Sequence, residues 1–263
     1  MQQRKIKRYG WKPDLPDQRD YSASEFLSAV EPVVKTVELI GHYNMPPIYD
    51  QGQLGSCTAN ALARLVEFDL MNKSATADPT AKLFMPSRLF IYYFERYIEG
   101  TVSTDSGAQI RDGIKVLNTK GVCTENIWPY NVSEFAEEPS AAAIAEAINF
   151  TALKYYRVNS SNKANIIQAL LGGHPVAYGF AVYDSFESSE VASTGIVPMP
   201  ASGESVIGGH AVVTVGYDET TDQFLCANSW NTDWGINGYF KIPAAYLTNS
   251  DLASDFWIIE TIK

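Results

Sequence analysis

Basic residues are scarce in this sequence, histidine and cysteine scarcer still, and long apolar runs are missing. Lys and Arg total 20 against 30 Asp and Glu, a formal net charge of −10. So acidic a surface repels phosphate backbones, which excludes nucleic acid as the main partner. The one basic cluster, Arg4, Lys5, Lys7 and Arg8, reads as a solvated tip. No stretch is long and apolar enough to span a bilayer, so no membrane partner is expected. Residues 1–21 have no apolar run after their basic start and do not read as a secretory signal. Three cysteines cannot all pair within one chain, so a disulfide framework is not expected and a reducing compartment fits. No His/Cys cluster has zinc spacing and no Gly-rich phosphate loop occurs, so neither metal nor cofactor is called for.

What is present is enough chain, 263 residues, for two closely packed halves sharing a cleft. Residues 1–35 read as an irregular, turn-rich extension, with a short helical stretch near Ser24–Val30. The segment Met45-Pro-Pro-Ile-Tyr is extended, because each residue before a proline is pushed out of the helical region. From Cys57 onward, Leu62, Leu65, Val66 and Leu70 form one apolar stripe of a helix capped by Ser56 or Gly55. Further helices are expected over 86–98, over 107–120, after Pro139 and over 162–171. Strands are expected at 155–158, 175–182, 211–217, 224–228 and 239–242. A mainly helical portion, 36–150, thus precedes a mainly β portion, 151–263. The fold class is α+β, with a site in the cleft between two lobes.

The sharpest local signal is Gln51-Gly-Gln-Leu-Gly-Ser-Cys57. A cysteine at a helix N-terminus is favoured as thiolate, the nucleophilic form, because free backbone N–H groups and the helix dipole stabilise negative charge. The Cys57 N–H and the side chain of Gln51 are candidate donors to an oxyanion. The competing reading of Cys57 is a small, buried, inert residue. Of the three histidines, His42 and His174 read as solvated or packed. His210 stands after Gly208 and Gly209 at the start of an apolar strand, placed to aim an imidazole into a cleft. Asn228 closes another short apolar run, before Trp230 and Trp234. Its amide can hold one ring nitrogen of His210 and leave the other for Cys57. A turn flanked by core tryptophans is the alternative.

Together these segments resemble the papain family of cysteine peptidases. The likeness runs over residues 36–263 and includes Ser106-Gly107-Ala108, Gly121-Val122 and Trp128-Pro129-Tyr130. It implies a helical left lobe and a β-barrel-like right lobe. It implies catalytic roles for Cys57, His210 and Asn228, with Gln51 completing the oxyanion hole. It further implies that Gly107 and Ala108 pair with substrate backbone. Gly209, and with it Phe256, would border the pocket for the second residue before the cleaved bond. Trp230 and Trp234 are added as candidate substrate-binding residues. Thr58 replaces the family's tryptophan after the nucleophile, and Leu54 stands where secreted members carry a disulfide cysteine. The resemblance is to the microbial or viral type, and a cytoplasmic or virion-associated setting is expected.

The implied reaction is hydrolysis of a peptide or protein substrate through a thioester on Cys57, with a bell-shaped pH–rate profile. Two rivals stand beside it: a transpeptidase or ligase using the same thioester, and an inactive peptide-binding homologue. Residues 1–35 are expected either to strap a lobe or to cover part of the cleft.

Overall fold

Short polar side chains set the starts of several helices. In this computed structural model, which describes residues 6, 8–27, 35–76, 83–151 and 153–261, Ser22 caps α1 (Ala23–Phe26). Helix α2 (Cys57–Thr76) begins directly at the cysteine. Ser87 caps α3 (Arg88–Ile98) by accepting from the Phe90 N–H, and α4 (Ile110–Thr119) follows. Ser140 caps α5 (Ala141–Ala147), Asn162 caps α6 (Lys163–Leu171) and Ser188 caps α7 (Ser189–Thr194). Each cap satisfies an N–H that the first helical turn leaves unpaired. The single turn α8 (Ala244–Leu247) completes the helices. The stretch expected near Ser24–Val30 is only the one turn of α1, and its residues 28–30 lie outside the described ones. So do Arg4, Lys5 and Lys7 of the basic cluster.

The strands are β1 (Val37–Glu38), β2 (Leu153–Arg157), β3 (Val176–Tyr183), β4 (Val206–Asp218), β5 (Gln223–Ala227), β6 (Tyr239–Pro243) and β7 (Ala253–Thr261). They pair antiparallel in the order β2-β7-β3-β4-β5-β6, with β1 joined to β4. The sheet does not close, because β2 and β6 stand at opposite ends of this order. The expected barrel-like lobe is therefore an open, irregular sheet. Strand β7 is not among the expected strands, yet it sits between β2 and β3.

Two apolar cores flank the sheet. The first joins α2, α3 and α4 to Ala177, Ala211, Val213, Val215, Trp257 and Ile259 of the sheet. The second joins α6 to the opposite side chains of the same strands, among them Tyr178, Val212 and Phe256, and includes Trp230 and Trp234. Alternation along β7 sends Trp257 to the first core and Phe256 to the second.

One irregularity in β7 positions a functional side chain. Ala177 pairs with Trp257 and Gly179 with Ser254, so two steps on β3 oppose three on β7. The extra residue is taken up at Asp255, whose φ is +60°. Such a bulge bends the strand and re-aims the side chain it carries.

Candidate active site

The helical wall of the site is built on α2. Cys57 is its first residue and is fully buried. Ser56, just before it, is bonded to the Tyr130 hydroxyl and to Asn60 Nδ2, which fixes the turn into the helix. Thr58 Oγ1 donates to Glu95 Oε2 at 2.8 Å. Burial holds the Glu95 carboxyl, beneath the helix start, well above its ordinary pKa. Gln51 is fully buried; its Nε2 donates to the Leu54 carbonyl at 2.9 Å, and its Oε1 accepts from Ser229 Oγ at 2.7 Å. That second bond ties the helical wall to the residue after Asn228.

The sheet wall carries the other two groups. His210 lies on β4 and Asn228 follows β5 directly. Their side chains meet, His210 Nε2 lying 2.8 Å from Asn228 Oδ1. The same Oδ1 accepts from the Ser229 N–H at 2.8 Å, which orients the amide. The Trp230 ring lies against the imidazole, centroids 4.9 Å apart at 30°. With Nε2 held, Nδ1 is the ring nitrogen left to act, and it is buried without a hydrogen-bond partner among the described residues. The Cys57 sulfur receives a backbone hydrogen bond from Ala211, the residue next to His210. His210 and Asn228 thus meet on the sheet wall, and the backbone next to His210 reaches the Cys57 sulfur.

A peptide already fills that cleft, and it is the chain's own residues 8–15. Trp11 N–H donates to the Gly209 carbonyl (2.9 Å), Ala108 N–H to the Gly10 carbonyl (2.7 Å), and Lys12 N–H to the Ala108 carbonyl (3.0 Å). The strap thus bonds both walls, running parallel to the Ala108 segment. Gly10 is wedged between Gly55 and Gly107. A Cβ on Gly10 would stand 1.7 Å from the Gly55 carbonyl oxygen, so no larger residue fits there. Tyr9 lies edge-on to His210 and donates its hydroxyl to Glu187. Trp11 packs against Gly179 and Gly209, and its indole N–H donates to Asp255 Oδ2 at 3.2 Å. Beyond it, Lys12 pairs with Glu99 at 2.6 Å, and Asp14 accepts from the Arg111 N–H and the Trp257 indole. Residues 9–12 cross the cleft, while Asp14, Leu15 and Asp20 bond to Arg111 and Gln109 on the helical lobe.

Burial shifts both titratable groups of the site. Burial pushes the Cys57 thiol up to about 12, outweighing the backbone hydrogen bonds from Ala211, Gly10 and Thr58 that favour thiolate. Burial also pushes His210 down to about 4. Both shifts favour the uncharged forms, against the thiolate that the helix N-terminus favours. The strap also offers no bond to attack, since the Gly10 carbonyl is taken by Ala108 and its N–H faces the sulfur.

Other expected residues fall as follows. Ala108 and Gly209 carry the strap's backbone bonds, and Gly107 abuts Gly10. Trp230 is fully buried behind His210 and meets Tyr9 at 6.4 Å between centroids. Trp234 is 2% exposed and packs behind Trp230 against Phe186 and Phe240. It is a core residue and does not face the groove. Phe256 stacks on Tyr178 in the second core. The side chain that meets Trp11 is its neighbour Asp255. Sequence reading missed Asp255 and Glu187, because only the bulge in β7 and the strap's course bring them to the groove. His42 and His174 lie outside this constellation. The three cysteines are buried and free. Among the described residues no His/Cys/Asp/Glu group could hold a metal ion, and no helix is long and apolar enough to cross a membrane.

An α+β chain with a cysteine at a buried helix start facing a His–Asn pair defines a papain-like fold and site. Residues 38–257 match the family described as papain family cysteine protease. The chain is 46% identical over 220 residues to an uncharacterised peptidase C1-like protein of Acanthamoeba polyphaga mimivirus, covering 81% of this chain and 69% of that protein. It is 27% identical to the gamete and mating-type specific protein A of Dictyostelium discoideum, covering 79% of this chain but only 42% of that one. Among solved structures it resembles xylellain, a cysteine protease from Xylella fastidiosa. There the TM-score is 0.85 at 38% identity, over 100% of this chain and 99% of that one. The chain belongs to the papain family of cysteine proteases.

Proposed function

We propose that the chain hydrolyses peptide bonds through a thioester on Cys57, and that the covered state seen here is latent. One observation carries the reading. An extended peptide lies across the sulfur with its backbone bonded to Ala108 on one wall and Gly209 on the other. The groove therefore binds peptide backbone at the place where the nucleophile sits. Once the strap leaves, water re-enters and the proton of the Cys57 thiol passes to His210 Nδ1. The thiolate adds to a peptide carbonyl, and the Cys57 N–H and Gln51 Nε2 bind the oxyanion. Collapse breaks the C–N bond as His210 protonates the leaving amine. Water, deprotonated by His210, then cleaves the thioester and frees the thiolate. Asn228 holds the ring so that Nδ1 stays aimed at sulfur throughout.

The test compares peptide-library cleavage by the intact chain, by Gly10→Ala and by Gly10→Ala/Cys57→Ala, with folding followed by circular dichroism. Cleavage is expected to rise with Gly10→Ala and to vanish with the second change. Cleavage that survives loss of Cys57 rejects the reading. So does a Gly10→Ala protein whose Cys57 is readily alkylated yet cleaves nothing.

A further inference from the structure

Past the groove the strap is held a second time, by charge. The Asp20 carboxylate is gripped by two arginines from different parts of the fold. Arg111, in the first turn of α4, forks onto both oxygens: its Nε donates to Oδ1 at 3.1 Å and its Nη2 to Oδ2. Arg157, the last residue of β2, donates Nη1 to Asp20 Oδ2 at 3.1 Å and Nη2 to Asp255 Oδ1 at 2.8 Å. Trp257 carries both guanidiniums. It stands opposite Arg157 in the β2–β7 ladder, and the Arg111 and Arg157 guanidinium carbons lie 5.6 and 5.4 Å from its ring centroid. Asp20 also lines two cavities, of about 250 and 520 Å³, the first shared with Arg111 and the second with Arg157.

We propose that Arg111 and Arg157 form a carboxylate-binding site apart from the catalytic groove. Asp20 fills it in the latent chain, and a carboxylate from solution takes its place when the strap lifts.

The partners of the two arginines fix that chemistry. Among the described residues the Arg111 guanidinium hydrogen-bonds only to the strap, at Asp20 and at the Leu15 carbonyl. Arg157 keeps Asp255 alone once Asp20 goes. Lifting the strap therefore leaves two guanidiniums on one indole with a single counter-charge, and one further negative charge restores the balance. Asp14 and Asp17, which line the same cavities, leave with the strap, and Lys115 on α4 is taken by Asp112. The fork sets the shape: Arg111 addresses two oxygens at once, which a carboxylate offers and a spherical halide does not. Arg111 is 6% exposed with the strap in place, so the seated site is drier than the vacated one and holds an anion harder.

This rests on the reading of the covered state as latent, but the readout, labelling of Cys57 by iodoacetamide, needs no peptide cleavage. Acetate is the probe, with sodium chloride at equal ionic strength as its control. In the intact chain Asp20 already fills the seated site, so acetate binds only the lifted state and should speed labelling severalfold. In Asp20→Ala the strap has lost its anchor, and labelling should begin about tenfold faster, the scale of hydrogen bonds between charged groups. There acetate enters the emptied seat beneath the strap and should slow labelling back toward the intact rate. Adding Arg111→Lys, which keeps the charge and loses the fork, should remove both responses. The proposal is overturned, whether or not peptides are cleaved, if chloride matches acetate, if acetate moves both chains in the same direction, or if neither chain responds. Should Asp20→Ala fold poorly, the intact chain and its Arg111→Lys variant decide. A saturable acceleration by acetate that is lost in that variant supports the site; no acceleration, or one that survives the change, removes it.

Discussion

The two walls of the groove hold the same strap by different means. On the helical wall, Gly55, Gly107 and Ala108 offer backbone and bare Cα atoms, and the strap answers with backbone and Gly10. On the sheet wall, His210, Glu187 and Asp255 present ionisable side chains, and the strap answers with Tyr9 and Trp11. The helical wall therefore holds the strap by fit, and the sheet wall holds it by side chains. Fit is a steric matter with no graded middle, whereas side-chain reading is tuned by one hydrogen bond at a time.

The largest effect should come from breaking fit. Gly10→Ala drives a methyl group into the Gly55 carbonyl, and nothing flexible lies there to move aside. Iodoacetamide should then label Cys57 at least tenfold faster than in the intact chain. Equal rates would mean that the strap does not shield the sulfur. A smaller loss is expected on the sheet wall. Asn228→Ala removes the partner of His210 Nε2, a hydrogen bond to a ring that becomes charged in the reaction. In a Gly10→Ala background kcat should fall about tenfold or more, and the acid limb of the pH profile should move. A merely structural role would lower activity without moving that limb.

The smallest effect is electrostatic and sharpens the contrast through Asp14. Burial and the neighbouring Asp255 carboxylate raise the Asp14 pKa to about 6, against opposing hydrogen bonds from Arg111 and Trp257. A carboxyl whose pKa is higher when seated than when free stabilises the seat while protonated. That stabilisation is full below the ordinary value of 3.8 and fades as pH rises through about 6. His210 titrates in the opposite sense, since burial lowers its pKa, so the total pH response mixes the two. The ratio of Cys57 labelling between the intact chain and Asp14→Asn isolates the first. It should climb severalfold between pH 5 and 7, and a flat ratio would remove Asp14 from the latch.

The site was legible where chemistry and local pattern coincide. Cys57 heads α2, as its glycine-rich approach and apolar stripe required. His210 lies on the expected strand, although β4 begins five residues earlier than the apolar run, at Val206. The glycines there show no hydrophobic signal, yet they pair normally with β3. Helix α3 starts at Arg88 and not at Pro86, because Ser87 caps it. Strand β7 escaped because Asp255 interrupts its apolar alternation. That residue sits at the bulge, buried beneath the Trp11 indole that it accepts from. Trp234 misled in the opposite way: its place near Asn228 in sequence suggested the groove, but the second core claims it.

Helix α2 packs against α3 and α4 on one side and against β4 and β7 on the other. With its first residue in the site, α2 ties the helices to the sheet that carries the other wall. Unmasking is then a matter of peeling a ribbon out of its slot, with kinetics that should be unimolecular and indifferent to dilution.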